Sequence, residues 1–270
     1  MERSQLLDAV VQLVRDAGAA IMTVYAKDFG VQTKADDSPL TEADMSSHHV
    51  LVAGLEALRP WLPIISEESG LADYAKRQQW SRYWLIDPLD GTKEFIARNG
   101  EFTVNVALME NGRPTLGCVG VPAQEMLYIG DVARGIALRV DANGEHAIRT
   151  RSVVNGRQIT AVASRRHGGE RLELLLKALA TSHGQIELKN VGSALKLCLV
   201  AQGDADLYPR LGPTSEWDIA AAEAVLVAAG GAVTTFAGAP LQYNKQDILN
   251  PEFLAVGDPS YSWPSKLPHL

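Results

Sequence analysis

Cysteine is scarce in this 270-residue chain: Cys118 and Cys198 are the only two, and each sits inside an apolar run. Two isolated thiols in such surroundings argue for buried, reduced side chains rather than a disulfide framework, which makes the cytoplasm the default compartment. Long hydrophobic runs are missing too. No window approaches the roughly 20 apolar residues of a membrane span, and the start, where Glu2 and Arg3 lead into an amphipathic pattern, has no apolar signal-peptide core. Positive charge is in deficit, with 25 Lys and Arg against 32 Asp and Glu and a net charge of −7. Without a dense basic block the chain is not expected to track a nucleic-acid backbone, although a few residues could hold a small anion. His and Cys do not occur at zinc spacing, and no segment repeats at a fixed period.

What is present is ample apolar material, 46% of residues, enough for one large domain or two smaller ones sharing an interface. Apolar residues at helical spacing from Leu6 to Ile21 predict a helix over residues 4–25, and Lys34 to Pro39 reads as a loop. A second helix is expected from Thr41, whose hydroxyl can cap it, to about Leu58 before Pro60. The run Leu62–Ile65 reads as a strand that meets Ser66-Glu67-Glu68, and Arg82–Ile86 as another that breaks at an acidic turn, Asp87-Pro88-Leu89-Asp90. A short helix is expected to restart at Gly91-Thr92 and end near Asn99-Gly100.

Closely spaced strands then follow at Thr103–Met109, Leu116–Val121, Glu125–Ile129 and Ile136–Val140, the pattern of an antiparallel meander. Beyond about Gly156 strands and helices alternate: strand Ile159–Ala163, helix Glu170–Thr181, strand Ile186–Lys189, helix Ser193–Gln202, strand Leu207–Tyr208, helix Ser215–Ala229, and strands Ala232–Phe236 and Phe253–Val256. That texture predicts a layered α/β half. The chain is thus expected to divide into residues 1–155 and 156–270.

Carboxylates gather at strand ends: Glu67, Glu68, Asp87, Asp90 and, far along the chain, Asp218 in Thr214-Ser215-Glu216-Trp217-Asp218. An all-oxygen donor set suits magnesium rather than zinc. Acidic residues at such places also serve as solvated loop charges or caps; for Asp90 that account and the metal one weigh about equally, and for Asp218 capping is a sufficient account. Asp87 is different, because it follows Tyr83-Trp84-Leu85-Ile86 directly, and a carboxylate beside an apolar strand must be paired or metal-bound. Thr92 could bind an attacking water and relay to Asp44 as a general base. On spacing alone the stronger account is local: Thr92 caps its own helix, and Asp44 closes a capping box opened by Thr41. His167, Ser193, Lys196 and Arg210 are scattered polar residues that spacing does not promote.

Taken together, Glu67-Glu68, Asp87-Pro88-Leu89-Asp90-Gly91-Thr92 and Glu216-Trp217-Asp218 resemble the motifs of the inositol-monophosphatase-like superfamily, magnesium-dependent and lithium-sensitive phosphatases. Within it the chain is most similar to the bacterial 3′(2′),5′-bisphosphate nucleotidases, through Trp84–Phe95 with its Lys93-Glu94-Phe95 extension, Asn99–Asn105 and Leu207–Arg210. The resemblance covers nearly the whole chain and implies a layered α-β-α-β-α sandwich. It implies removal of the 3′-phosphate of adenosine 3′,5′-bisphosphate to give AMP, and a parallel action on its sulfated analogue, 3′-phosphoadenosine 5′-phosphosulfate, in sulfate assimilation. It also implies two or three magnesium ions on Glu67, Asp87, the Leu89 carbonyl, Asp90 and Asp218.

By the same resemblance Asp44, Thr92 and Glu67 are catalytic, and Gly91 and Thr92 receive the scissile phosphate. His167, Ser193, Lys196 and Arg210 hold the nucleotide. Ala194 and Arg166 depart from the pattern, standing where relatives carry serines. The expected setting stays cytoplasmic, with both loose attachment to the inner face of the membrane, as in some relatives, and the oligomeric state left open. Two rival readings remain: an inositol- or sugar-phosphate phosphatase on the same metal core, and a non-catalytic sensor of phosphorylated ligands.

Overall fold

The structure, a computed structural model, describes residues 1–33, 39–154, 156–164, 169–261 and 263. The chain opens with α1 (Arg3–Tyr25), the paired short strands β1 (Val31–Thr33) and β2 (Pro39–Thr41), and α2 (Glu42–Ala57). Then come β3 (Ile64–Ser66), α3 (Tyr74–Arg77), β4 (Arg82–Asp90), α4 (Thr92–Ile96), β5 (Thr103–Glu110), β6 (Arg113–Val121), β7 (Met126–Asp131), β8 (Ile136–Asp141) and β9 (Gly144–Ala147). The second half holds β10 (Ile159–Ala163), α5 (Gly169–His183), β11 (Ile186–Asn190), α6 (Leu195–Ala201), β12 (Leu207–Arg210), α7 (Glu216–Ala228), β13 (Ala232–Thr235) and β14 (Phe253–Val256).

Strands β3 to β9 form a seven-stranded sheet in sequence order, antiparallel except for the parallel pair β3–β4. The other sheet is mixed, in the order β11-β10-β12-β14-β13. Three cores separate five layers. Apolar faces of α1 and α2 (Val10, Val14, Ile21, Leu51, Leu55) cover one side of the first sheet. Its other side meets α6 and α7, which also cover the second sheet through Val162, Tyr208 and Phe253. Outermost, α5 closes the far face with Leu172, Leu175 and Leu179. This is the α-β-α-β-α sandwich expected from the sequence.

Sandwiching explains two sequence features. In β4 every side chain from Tyr83 to Leu89 is buried, because Tyr83 and Leu85 enter the central core and Trp84 and Ile86 the core under α1 and α2, which Leu89 also joins once the register shifts after Asp87. In α7 the Ala-rich run Ile219–Leu226 is buried all round, since the helix lies between two sheets and has no solvent face to make polar. The approach is tight: a Cβ on Gly117 would stand 2.0 Å from the Ala221 carbonyl oxygen, and one on Gly130 2.5 Å from the Val225 Cα. Gly117→Ala is therefore expected to cost about 1–3 kcal/mol through overpacking, seen as a lower urea midpoint at unchanged m-value.

Three expectations need correction. The acidic stretch is no turn, because β4 continues through it to Asp90, with a register irregularity between Asp87 and Asp90 that absorbs the proline. The helix after it ends at Ile96, not near Gly100. The meander has one more strand than the sequence pattern predicts, β9, whose mostly exposed residues lack an apolar signature.

Candidate active site

Register brings the first two acids together. Ser66 pairs with Ile86 in the parallel β3–β4 ladder, and the Glu67 N–H donates to the Ile86 carbonyl at 3.3 Å, so Glu67 and Asp87 leave adjacent strands at the same level. The third acid comes from the other half of the chain. Asp218 lies in the first turn of α7, which packs across the first sheet, and Glu67, Asp87 and Asp218 each present an oxygen within 4.8 Å of the other two. Glu68 is not part of this grouping. Asp90 and Leu89 line the same cleft, of about 400 Å³, with Gly91 and Thr92.

Crowded carboxylates in a buried place resist ionisation. Burial foremost, then the fields of Glu67, Asp90 and Asp218, pushes the Asp87 carboxyl well above its usual range, and Asp218 is raised by burial and by Asp90 and Glu67. Asp90 rises to about 6, mainly through burial, against the opposing field of Lys196. The inner oxygen Asp87 Oδ2 is buried and accepts no hydrogen bond, whereas Oδ1 accepts from the Leu89 N–H at 3.1 Å. An orphaned carboxylate oxygen among like charges, with the carboxylate oxygens of Glu67 and Asp218 close by, fits a hard divalent cation.

Both readings of Asp44 meet in one arrangement, whereas the capping role expected of Thr92 does not occur. Asp44 is fully buried, and its Oδ2 accepts from the Thr41 N–H and hydroxyl, each at 2.7 Å, closing the capping box of α2. Its other oxygen, Oδ1, accepts from the Thr92 hydroxyl at 3.2 Å. Thr92 does not cap α4, because the N-cap position is taken by Gly91 at φ +90°. Asp218 is similarly double: its Oδ2 accepts from the Ser215 N–H at 2.9 Å, a capping box, while its carboxylate faces the other acids.

An adjoining pocket of about 130 Å³ gathers Ser193, Lys196, Tyr208 and Arg210 beside Asp90 and Asp218. Lys196 is buried, donates to the Ser193 carbonyl at 2.6 Å and stands over the Tyr208 ring, 5.4 Å from its centroid. Burial lowers its pKa to about 8, although Asp90 works in the opposite direction. The Arg210 guanidinium is oriented by the carbonyls of Gly212 and Pro213 and reaches the Tyr208 hydroxyl at 3.4 Å. Ser193 adopts φ +47°, and its hydroxyl is buried without a hydrogen-bond partner. His167 lies outside the described residues, as does Arg166.

Several residues that position the site carried no local signal. Ser47 of α2 donates to the Pro88 carbonyl at 2.7 Å, pinning the irregular part of β4. Glu101 Oε2 accepts from the Gly192 N–H at 2.8 Å, a bond between the two halves that holds the Ser193 loop. A Cβ at Gly192 would come within 2.7 Å of Glu94 Cγ. Thr103 in β5 donates to Asp90 at 3.4 Å. The traces of such roles in the sequence are a polar residue interrupting an apolar strand, as at Thr103 and Asn105, and the place of Glu101, Thr103 and Asn105 within the Asn99–Asn105 motif.

The layered sandwich is the fold of a class of phosphatases, and the chain belongs to the inositol monophosphatase family, whose model matches residues 2–260. Among its relatives is the 3′(2′),5′-bisphosphate nucleotidase CysQ of Escherichia coli O157:H7, 47% identical over 251 residues, covering 92% of this chain and 98% of that protein. The structure is also similar to that of CysQ from Bacteroides thetaiotaomicron, with a TM-score of 0.82, 39% identity, and coverage of 94% of this chain and 97% of that one. An inositol monophosphatase from Anabaena superposes at a TM-score of 0.76 with 25% identity, over 99% and 98% of the two chains.

Proposed function

We propose that this protein is a 3′(2′),5′-bisphosphate nucleotidase that hydrolyses the 3′-phosphate of adenosine 3′,5′-bisphosphate to give AMP and phosphate. The observation that carries the reading is the 47% identity to a nucleotidase of that name over almost the full length of both chains. The site is consistent with it. A cluster of three carboxylates adjoins a pocket with three basic side chains, Lys93, Lys196 and Arg210, which suits a substrate bearing a second phosphate.

Glu67, Asp87, the Leu89 carbonyl, Asp90 and Asp218 would hold magnesium, in two or three ions, which when bound acidifies a water and neutralises charge on the phosphate. The chain's own residues supply orientation and proton handling. Thr92 donates its hydroxyl hydrogen bond to Asp44, which leaves the oxygen lone pairs free to accept a hydrogen bond from the water that attacks phosphorus. Gly91 and Thr92 stand at the start of α4, where backbone N–H groups have no intrahelical acceptor and can donate to the transferred phosphate. Lys196, Ser193, Arg210 and His167 would hold the nucleotide. In this reading the site is shared between residues 1–155 and 156–270, with Asp218 completing acids supplied by the first part.

Lithium sensitivity, action on the sulfated analogue, a place in sulfate assimilation and a cytoplasmic or membrane-attached setting belong to the same proposal and rest on the motif resemblance. No helix among the described residues is long and apolar enough to cross a membrane.

Phosphate release measured over a panel of phosphorylated nucleotides and inositols, with magnesium, with EDTA and with lithium, tests the reading. Adenosine 3′,5′-bisphosphate is expected to exceed inositol 1-phosphate by about 100-fold or more in kcat/KM, the scale of discrimination that a lost charged contact produces. EDTA should abolish turnover. Comparable efficiency on inositol 1-phosphate would favour the inositol phosphatase reading instead, and binding without turnover would favour a sensor.

A further inference from the structure

Strand β5 is buried along nearly its whole length, yet two polar side chains interrupt it, Thr103 and Asn105. Register puts each opposite an acid of β4: Thr103 pairs with Asp90, and Asn105 with Asp87. Directly paired residues of an antiparallel sheet share a face. The next pairs along, Leu85 with Ala107 and Tyr83 with Met109, all lie in the central core, so Asn105 stands on the face that carries Asp87 and that α7 covers. Thr103 already donates to Asp90 Oδ2.

Asn105 is 1% exposed, and both its Nδ2 and its Oδ1 are buried without a hydrogen-bond partner. The oxygen in the same condition beside it is Asp87 Oδ2. A buried amide with neither group satisfied destabilises the fold that contains it, and an apolar side chain of similar size would pack there at less cost. A residue that weakens the fold at the foot of a cluster of acids has a use outside packing.

We propose that Asn105 backs the cation site from behind Asp87, a positioning residue whose Nδ2–H group comes to donate to Asp87 Oδ2 when a divalent cation is bound and so holds the carboxylate toward it. Thr103 serves Asp90 in the corresponding way from the same strand. The inference rests on the reading that Glu67, Asp87 and Asp218 hold such a cation.

Two measurements on the full chain without substrate test it: calorimetric titration with magnesium chloride, and thermal unfolding in EDTA. Asn105→Val is expected to bind magnesium about 10-fold or more weakly, the scale seen when a group behind a metal ligand is lost. The same variant should unfold about 2–4 °C higher when metal-free, because an unsatisfied polar group has been removed. A merely structural asparagine does not produce these opposite shifts. Unchanged magnesium affinity, or a lower metal-free Tm, would overturn the proposal. Asn105→Ala, which cannot overpack, is titrated in parallel, and unchanged affinity in that variant is equally fatal. If the unaltered protein itself shows neither heat of magnesium binding nor a magnesium-dependent Tm, the metal reading has failed, a result distinct from one in which only the variants behave normally.

Discussion

Asp87→Asn should lower phosphate release by about 1,000-fold or more while the protein remains folded and, without metal, becomes more stable. The kinetic half follows from position. Asp87 is the acid that burial and three neighbouring carboxylates act on together, so its charge is the one a divalent cation would compensate most directly. Loss of several kcal/mol of charge stabilisation in the transition state, at about 1.4 kcal/mol per tenfold, gives that order of magnitude. The stability half follows from sign. A carboxyl whose folded pKa lies above its unfolded value contributes fully only while protonated, and its contribution is lost as pH rises above the ordinary carboxylate range. Asparagine stays neutral throughout. The metal-free Tm of the unaltered protein should therefore fall between acid and neutral pH more steeply than that of the variant, and magnesium should restore it only in the unaltered protein. Full activity of Asp87→Asn in magnesium would sink the metal reading.

Thr92→Val is expected to lower kcat by about 100-fold or more with little change in KM, since general-base assistance contributes on the order of 100- to 10,000-fold. The variant keeps the shape of the side chain and removes only the hydroxyl that donates to Asp44. Asp44→Asn is a less clean probe. It disturbs the relay and also the capping box of α2, where loss of a cap costs about 0.5–2 kcal/mol. If the two act as one unit, the double variant should be hardly slower than Thr92→Val alone. Additive losses would assign them separate roles, and Thr92→Ser should recover much of the rate. A Thr92→Val protein with unaltered kcat would leave Thr92 a structural residue.

These residues also show how far local reading reached. Thr41-Glu42-Ala43-Asp44 was legible as a capping box, and the box is present; nothing in those four residues disclosed that the second oxygen of Asp44 accepts from Thr92, 48 positions away. Local spacing encodes one use of a carboxylate, and a carboxylate has two oxygens. The same holds at Asp218, where the cap was readable and the approach to Glu67 and Asp87 was not. The continuation of β4 through Pro88 was hidden because proline ordinarily ends a strand, and only the neighbouring β5 and the Ser47 bond to the Pro88 carbonyl make the irregular extension hold.

By itself the sequence determined the layers and the inventory. Hydrophobic periods of two and of 3.6 residues dictate which segments become strands and which helices, and an apolar strand running into Asp87 demands a partner for that charge. Tertiary structure alone decided the convergence. The β3–β4 register brings Glu67 level with Asp87, the path of α7 across the sheet delivers Asp218, and the β4–β5 register sets Asn105 opposite Asp87. Those are contacts between segments far apart in the chain, set by how faces pack, and no local spacing specifies them.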